Sequence, residues 1–343
     1  MKRSYPPFLT NSRITPLQKR ILSLLGIPCE IYPIYHALVN LKLWLKLLYV
    51  VVREKIDVIQ AEFTSFAIPS IFVKLLTGVP VCLVEHNVES FQIPKITQIR
   101  ERGRKLIKFV ERNACSFSDK VIVITEREKE RLQAIGVDGK KIEVIPYGVN
   151  AEEYRVEGNK ILEIRRKYKL GLPTLVFHGT YSYKPNRDAI CFLAEKVMPY
   201  LRKRGIKARL LAIGDSPVKG INDPDVIFTG VVKDLPAHLK AADIAVVPIE
   251  AGGGMRIKIL EYFAAKLPVV STPFGAEGIP VKNDKEIIIA TLKEFPRKVE
   301  ELIKKKGWRE EIKRNAFLFI KDWSWERVMK KHIEVYKSLT NKN

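Results

Sequence analysis

Residues 243–279 read DIAVVPIEAGGGMRIKILEYFAAKLPVVSTPFGAEGI, a run whose residue types and spacing suit an anionic ligand. An apolar strand leads into Gly252-Gly253-Gly254, a turn through which backbone can come close to a ligand, and a helix is expected from near Met255. The first N–H groups of such a helix and the positive end of its dipole face the crevice at the carboxyl end of a parallel strand, where phosphates bind. Arg256 and Lys258 add full charges there, and Glu261, one to two turns along, can accept hydrogen bonds from a ribose diol. The plain alternative is a tight turn beside a salt-bridged helix.

A chain of 343 residues favours two domains, and the order of elements agrees. Short Val/Ile-rich runs alternate with longer helical patterns, which is the signature of βαβ units and parallel sheets. Strands are expected near Cys29–Ile34, Val58–Ala61, Val79–Glu85, Lys120–Ile124 and Ile142–Ile145 in the first half. In the second half they are expected near Thr174–His178, Ala208–Ile213, Val226–Phe228, Ile244–Val247, Pro268–Ser271 and Ile287–Ala290. The reading is α/β, with two doubly wound, Rossmann-like domains over residues 1–165 and 166–323 and a last helix, within 324–343, packing back on the first. Met1–Pro7 holds no apolar run, so the first domain shows no opening strand and Gly-rich loop.

Several ordered blocks resemble the retaining glycosyltransferases of the GT-B fold, in particular the family 4 group (group 1 glycosyl transferases). They are EHN at 85–87, VIPYGVN at 144–150, FHGTYSYKPNRDAI at 177–190, AIGDSP at 212–217, FTGVVKDLPAHLKAADIAVVPI at 228–249, and the GGGMRIKILEYFAAKLPVVST block. The resemblance implies two domains facing across a cleft and transfer of a hexosyl unit from a nucleotide diphosphate sugar to an acceptor hydroxyl, with retention. It places Glu261 on the ribose, Arg256, Lys258 and Lys184 near the diphosphate, and Gly230-Val231-Val232 at the base. Gly179 and Thr180 join Gly252, Gly253 and Gly254 in lining the donor site, and His86 faces the transferred sugar. No cofactor or metal is implied, because cations and a helix terminus stabilise the leaving diphosphate.

The sequence departs from the family pattern where many members carry a second glutamate eight residues before the ribose-binding one, since Gly253 stands there. Asp223-Pro224-Asp225 has the form of a manganese-binding Asp-x-Asp motif but sits in a Pro-containing turn, and is read as a surface turn. Cys29, Cys82, Cys115 and Cys191 match no zinc or redox spacing and are expected as buried thiols in a reducing compartment.

The net charge of +22 attracts phosphates, nucleic acid or anionic lipid without choosing among them. Nucleic acid is disfavoured because there is no zinc-finger spacing, no aromatic RNA-binding strand and no single basic face. A dehydrogenase is disfavoured because no G-x-G-x-x-G follows a strand. Leu38–Val52, interrupted by Lys42 and Lys46, is too short to span a bilayer and is expected as a core helix. Residues 92–112, rich in Lys and Arg with an apolar side, are a candidate contact with an anionic membrane, the alternative being a solvated helix packed on its own domain. The expected partners are therefore a nucleotide-sugar donor, a saccharide or lipid-linked acceptor and that membrane surface; the expected location is cytoplasmic, peripheral on the inner face of the cell membrane. A nucleotide-sugar epimerase and a binding protein of the same fold without catalysis are the rival readings.

Overall fold

The computed structural model describes residues 15–24, 35–96 and 99–340. The strand expected at Cys29–Ile34, the opening segment Met1–Pro7 and Cys29 lie outside the described residues. The chain divides into two units, one running to Ile145 and resuming at Lys331, the other spanning Pro146–Lys330.

The first unit holds a parallel sheet of β1 (Ile59–Glu62), β2 (Val81–Glu85), β3 (Lys120–Val123) and β4 (Ile142–Val144), in that spatial order. Every residue of β2 is buried, as expected for a strand covered by helices on both faces. Val81, Leu83, Val121 and Val123 pack with Ala67 and Val73 of the helix Thr64–Thr77 and Leu132 of the helix Glu126–Ala134. Burial of each Val or Leu side chain among these contributes about 1.5–3 kcal/mol before the entropy of ordering is counted. The helix Thr64–Thr77 stops at Gly78, whose φ of +76° gives the left-handed cap that glycine adopts most readily.

In the second unit the parallel sheet contains β5 (Thr174–His178), β6 (Arg209–Ile213), β7 (Val226–Gly230), β8 (Ile244–Val247), β9 (Val269–Ser271) and β10 (Ile288–Ile289). Their spatial order is β10-β9-β8-β5-β6-β7, the doubly wound arrangement in which the winding reverses between β5 and β8. Ligands bind such sheets outside the carboxyl ends of the strands at that reversal.

Two expected features differ in the structure, the end of the first unit and the burial of the helix expected from Leu38–Val52, while the last helix packs on the first unit from Lys331 onward. The first unit ends at Ile145 rather than at 165: Arg165 Nη1 donates to Ala241 O at 2.7 Å, Val149 N donates to Trp323 O at 2.8 Å, and the helix Gly158–Lys167 belongs with the second unit. The last helix, Trp325–Thr340, crosses the division at Lys331, and its Tyr336 hydroxyl donates to Gln60 of β1. The helix expected as core from Leu38–Val52 forms over Leu41–Arg53, but only Val51 is fully buried, while Leu41, Leu45, Tyr49 and Val52 are more than half exposed. Trp44 anchors its inner face through a ring contact with Phe72 at 5.4 Å and a 2.8 Å bond to Ala37 O. Its apolar residues therefore cover two faces, of which the core takes one.

Within residues 92–112, those up to Ile96 lie on the helix Glu89–Ile96 and those from Glu101 on the helix Glu101–Phe117. Ile107 and Ala114 turn the apolar side of the second into its own unit, which leaves Arg102, Arg104, Lys105, Lys108 and Arg112 exposed around an exposed Phe109. No helix among the described residues is long and apolar enough to cross a membrane.

Candidate active site

In the second unit, the segments leaving β5 and β8 at the winding reversal touch each other. After β5 the chain turns through Gly179 and Thr180 into the helix Lys184–Phe192, and after β8 it passes through Gly252-Gly253-Gly254 into the helix Ile257–Ala264. That helix begins two residues later than expected, with Arg256 at its N-cap. Gly252 has φ +121°, and a Cβ there would stand 2.8 Å from the Tyr183 hydroxyl, so a side chain at this position would push the two turns apart.

Lys258 links the same two segments. Its Nζ donates to Asn186 Oδ1 at 2.9 Å and lies 4.3 Å from the centre of the Phe177 ring, while Asn186 Nδ2 donates to Thr180 O at 3.0 Å. Asn186 fits only because Gly179 lacks a Cβ, which would fall 2.7 Å from its Nδ2. The residue as a whole is half-buried, yet burial of its ammonium, with the Arg256 charge beside it, pushes its pKa down to about 7. Arg256 is buried; its guanidinium donates to Gly253 O at 2.8 Å and to Gly254 O, and stacks 4.8 Å over Phe274. Two cations and a helix N-terminus are thus fixed by backbone and ring contacts at one edge of the sheet, an arrangement that stabilises negative charge without reorganising.

Glu261 sits on the same helix, and its Oε2 accepts from His178 Nε2 at 2.9 Å. His178 ends β5; the accepting Glu261 carboxylate puts a proton on its Nε2, and its Nδ1 is 2.9 Å from the Tyr262 hydroxyl, which holds the ring from the other side. The sequence reading singled out neither His178 nor Asn186; the available signal was their position within FHGTYSYKPN, just beyond a strand bordering the reversal.

The remaining expected residues are placed differently. Lys184 is exposed and pairs with Asp188 one helical turn on, at 2.5 Å, so it is not drawn into the Arg256 and Lys258 set. Gly230 closes β7 with φ +71° and pairs with Ile213 after a register shift that skips Thr229, while Val231 is largely exposed and Val232 half-buried. Asp223 and Asp225 are both held by Arg202, whose Nη2 lies 2.8 Å from Asp223 Oδ1 and 3.0 Å from Asp225 Oδ2. No group of three or more His, Cys, Asp or Glu among the described residues could hold a metal ion. Cys82 and Cys115 are buried and Cys191 half-buried, all as free thiols.

His86 belongs to the first unit, directly after β2, with its Nε2 2.6 Å from Oε2 of Glu62 at the end of β1. Beneath it lies a buried acidic group that the sequence reading did not identify. Glu111 accepts from the backbone N–H groups of Glu89 and Ser90 at 2.5 and 3.3 Å, and Glu89 accepts from the Tyr35 hydroxyl. Glu85 accepts from Thr64 at 2.5 Å, and its Oε2 has no partner. Burial pushes Glu85 well above the usual carboxylate range, Glu89 to about 7 and Glu111 to about 8.

Comparison with known proteins agrees with this architecture. The profile "Glycosyl transferases group 1" matches residues 172–305, and "Glycosyltransferase Family 4" matches residues 9–153. A GDP-mannose-dependent alpha-(1-6)-phosphatidylinositol monomannoside mannosyltransferase of Mycobacterium tuberculosis is 27% identical over 187 residues, a match covering 49% of this chain and 47% of that protein. The chain therefore spans about half the length of this relative. A UDP-Gal:alpha-D-GlcNAc-diphosphoundecaprenol alpha-1,3-galactosyltransferase of Escherichia coli is 26% identical over 74% of this chain and 67% of its own length. Among solved structures, Anabaena HepE in complex with UDP and glucose superposes with a TM-score of 0.73 at 16% identity, covering 94% of this chain and 89% of that one. Sucrose-phosphate synthase from Thermosynechococcus elongatus superposes with a TM-score of 0.74 at 16% identity, over 96% and 83% of the two chains. With both halves matched and the doubly wound sheets in place, the chain belongs to the group 1, family 4 glycosyltransferases of the GT-B fold.

Proposed function

We propose that this protein transfers a hexosyl unit from a nucleotide diphosphate sugar to an acceptor hydroxyl, with retention and without a metal ion. The observation that carries this reading is the placement of Arg256, Lys258, Glu261 and the glycine turn together at the winding reversal of the second sheet. The nucleotide ribose is held by Glu261, whose carboxylate is oriented by His178. Gly230, Val231 and Val232 meet the base through backbone, and Gly179, Thr180 and Gly252–Gly254 bring main chain up to the diphosphate. As the bond to the sugar breaks, charge grows on the leaving phosphate, and Arg256, Lys258 and the start of the helix Ile257–Ala264 stabilise it. Lys184 reaches the phosphates only by leaving Asp188. The leaving phosphate accepts the acceptor's proton on the same face of the sugar, and His86 orients the sugar.

The names of two relatives specify lipid-bound acceptors, which supports a lipid-linked acceptor here and action beside a membrane; the side we assign, the cytoplasmic one, is part of the proposal. The exposed basic face of the helix Glu101–Phe117 supplies the electrostatic attraction, at about 1 kcal/mol per charge near an anionic surface. Reversing Arg100, Arg102, Arg104 and Lys105 to Glu is expected to weaken binding to phosphatidylglycerol vesicles at least about tenfold. Sedimentation with vesicles measures this, and undiminished binding would remove the helix from the membrane contact.

Calorimetry with UDP, GDP, ADP and dTDP tests the donor site directly. One nucleotide is expected to bind selectively, and Glu261→Ala to weaken it about 10–100-fold, as for loss of charge-assisted hydrogen bonds. Equal binding by wild type and variant would refute the ribose role. Tight binding without turnover, across donors and lipid-linked acceptors, would favour a binding protein.

A further inference from the structure

At the carboxyl edge of the first sheet, polar side chains link His86 to the last helix. Because an ionised carboxylate only accepts, the 2.6 Å contact of His86 Nε2 with Glu62 Oε2 puts a proton on Nε2, so that the neutral tautomer selected is the one with its lone pair on Nδ1. Burial pushes the Glu62 carboxyl up, but hydrogen bonds from His86 and Gln60 outweigh it, so the net direction is below the usual carboxylate range. Glu62 Oε1 accepts from Gln60 Nε2, and Gln60 Oε1 accepts from the Tyr336 hydroxyl. That hydroxyl has one proton and donates it to Gln60, so His332 Nδ1, 3.2 Å away, is its donor. The chain of bonds runs in one direction from His332 through Tyr336 and Gln60 to Glu62, where His86 donates from the other side.

The backbone reinforces the arrangement. Phe63, next to Glu62, has φ +68°, a conformation costly for a bulky residue, and is held there by a 3.0 Å bond from its N–H to Val84 O. The turn lays the Phe63 ring against the His86 imidazole, with centroids 4.5 Å apart. The ring is thus gripped on one nitrogen by a carboxylate and on one face by an aromatic.

We propose that Tyr336, Gln60 and Glu62 are positioning residues through which the last helix fixes the tautomer and orientation of His86. The idea rests on the role in the reaction given to His86 above. Loss of Glu62 removes the acceptor that favours the proton on Nε2, so a sugar hydroxyl meets a larger share of the other tautomer. A bond that only tethered the helix would leave the imidazole unchanged when cut at Tyr336.

The test uses the full chain labelled with ¹⁵N-histidine, in which only five histidines give signals. Long-range proton–nitrogen spectra are expected to show His86 protonated on Nε2 and His332 on Nδ1. Tyr336→Phe, which removes no atom touching His86, is expected to shift the His86 ring signals and leave those of His178 and His238 in place. In donor turnover, followed as nucleoside diphosphate release, Tyr336→Phe is expected to lower kcat about threefold and Glu62→Ala about tenfold or more. KM for the donor should change less than about twofold, and Glu62→Gln, which still accepts from Nε2–H, should recover part of the rate. Unmoved His86 signals with unchanged kcat in Tyr336→Phe would overturn the proposal; this variant carries the decision if Glu62→Ala fails to fold. A His86→Ala chain with wild-type kcat would instead refute the role of His86 in the reaction, while signals that follow Tyr336 would still uphold the positioning chain.

Discussion

Replacing Lys258 by methionine is expected to lower turnover by about 10²–10³-fold while changing KM for the donor little, because the ammonium acts mainly on charge that appears as the diphosphate departs. Methionine keeps the stem that packs on Phe177 and removes the donor to Asn186, so the substitution reports on the charge rather than on bulk. The same residue predicts a proton balance. With its pKa held down to about 7, Lys258 is mostly neutral at pH 8 in the free protein, and an arriving diphosphate draws the proton back. Nucleoside diphosphate binding at pH 8 should therefore take up close to one proton, and at pH 6 almost none. Titrations in buffers of different ionisation enthalpy measure this. Equal uptake at both pH values, or less than about a threefold loss of kcat in Lys258→Met, would take Lys258 out of the mechanism.

A large effect of a different kind is expected on stability. Glu89 and Glu111 keep their protons in the folded chain to about pH 7 and 8, whereas an unfolded chain releases them near 4.5. Between those values the folded state binds more protons, so stability is greatest at the acid end, declines as pH rises from about 4.5, and has lost this contribution above about 8. One carboxyl held at about 7 is worth on the order of 3 kcal/mol, and coupling within the cluster keeps the total from being a simple sum. The melting temperature of the first unit should fall by roughly 6–12 °C between pH 5.5 and 8.5. Glu111→Gln keeps one carbonyl oxygen to accept from Glu89 N–H, turns its amide NH2 toward Ser90 Oγ at the loss of the longer 3.3 Å bond from Ser90 N–H, and has no charge to bury, so it should flatten the profile and raise the melting temperature at pH 8.5. A flat wild-type profile, or a variant less stable at pH 8.5, would contradict this account.

Sheet and site were legible in the sequence to different degrees, for physical reasons. Strands buried on both faces announce themselves as apolar runs, and the bounds of β5 and β8 coincide with those expected. The glycine turn was legible because backbone geometry is written locally. The partners of the site residues were not: His178 and Glu261 are 83 residues apart, and Gln60 and Tyr336 are 276 apart, so only the fold brings them together. The helix Leu41–Arg53 misled because apolar content is legible in sequence, whereas the number of faces the core can cover is not. The buried acids Glu85, Glu89 and Glu111 resemble a solvated pattern until β2 and its helices enclose them.

The chain leaves its first unit at Ile145 and returns to it at Lys331, and this has a consequence for biosynthesis. Domains fold in turn as they emerge from the ribosome, at about 5–20 residues per second. Here the sheet made first of the two must wait for a helix made after the second one, while the intervening unit has all its described strands before that helix emerges. A product cut short before Lys331 would carry the Arg256, Lys258 and Glu261 set intact yet lack the Tyr336 bond to β1. Such a fragment is expected to retain nucleotide in calorimetry with turnover reduced, so synthesis of the returning helix acts as a checkpoint on competence.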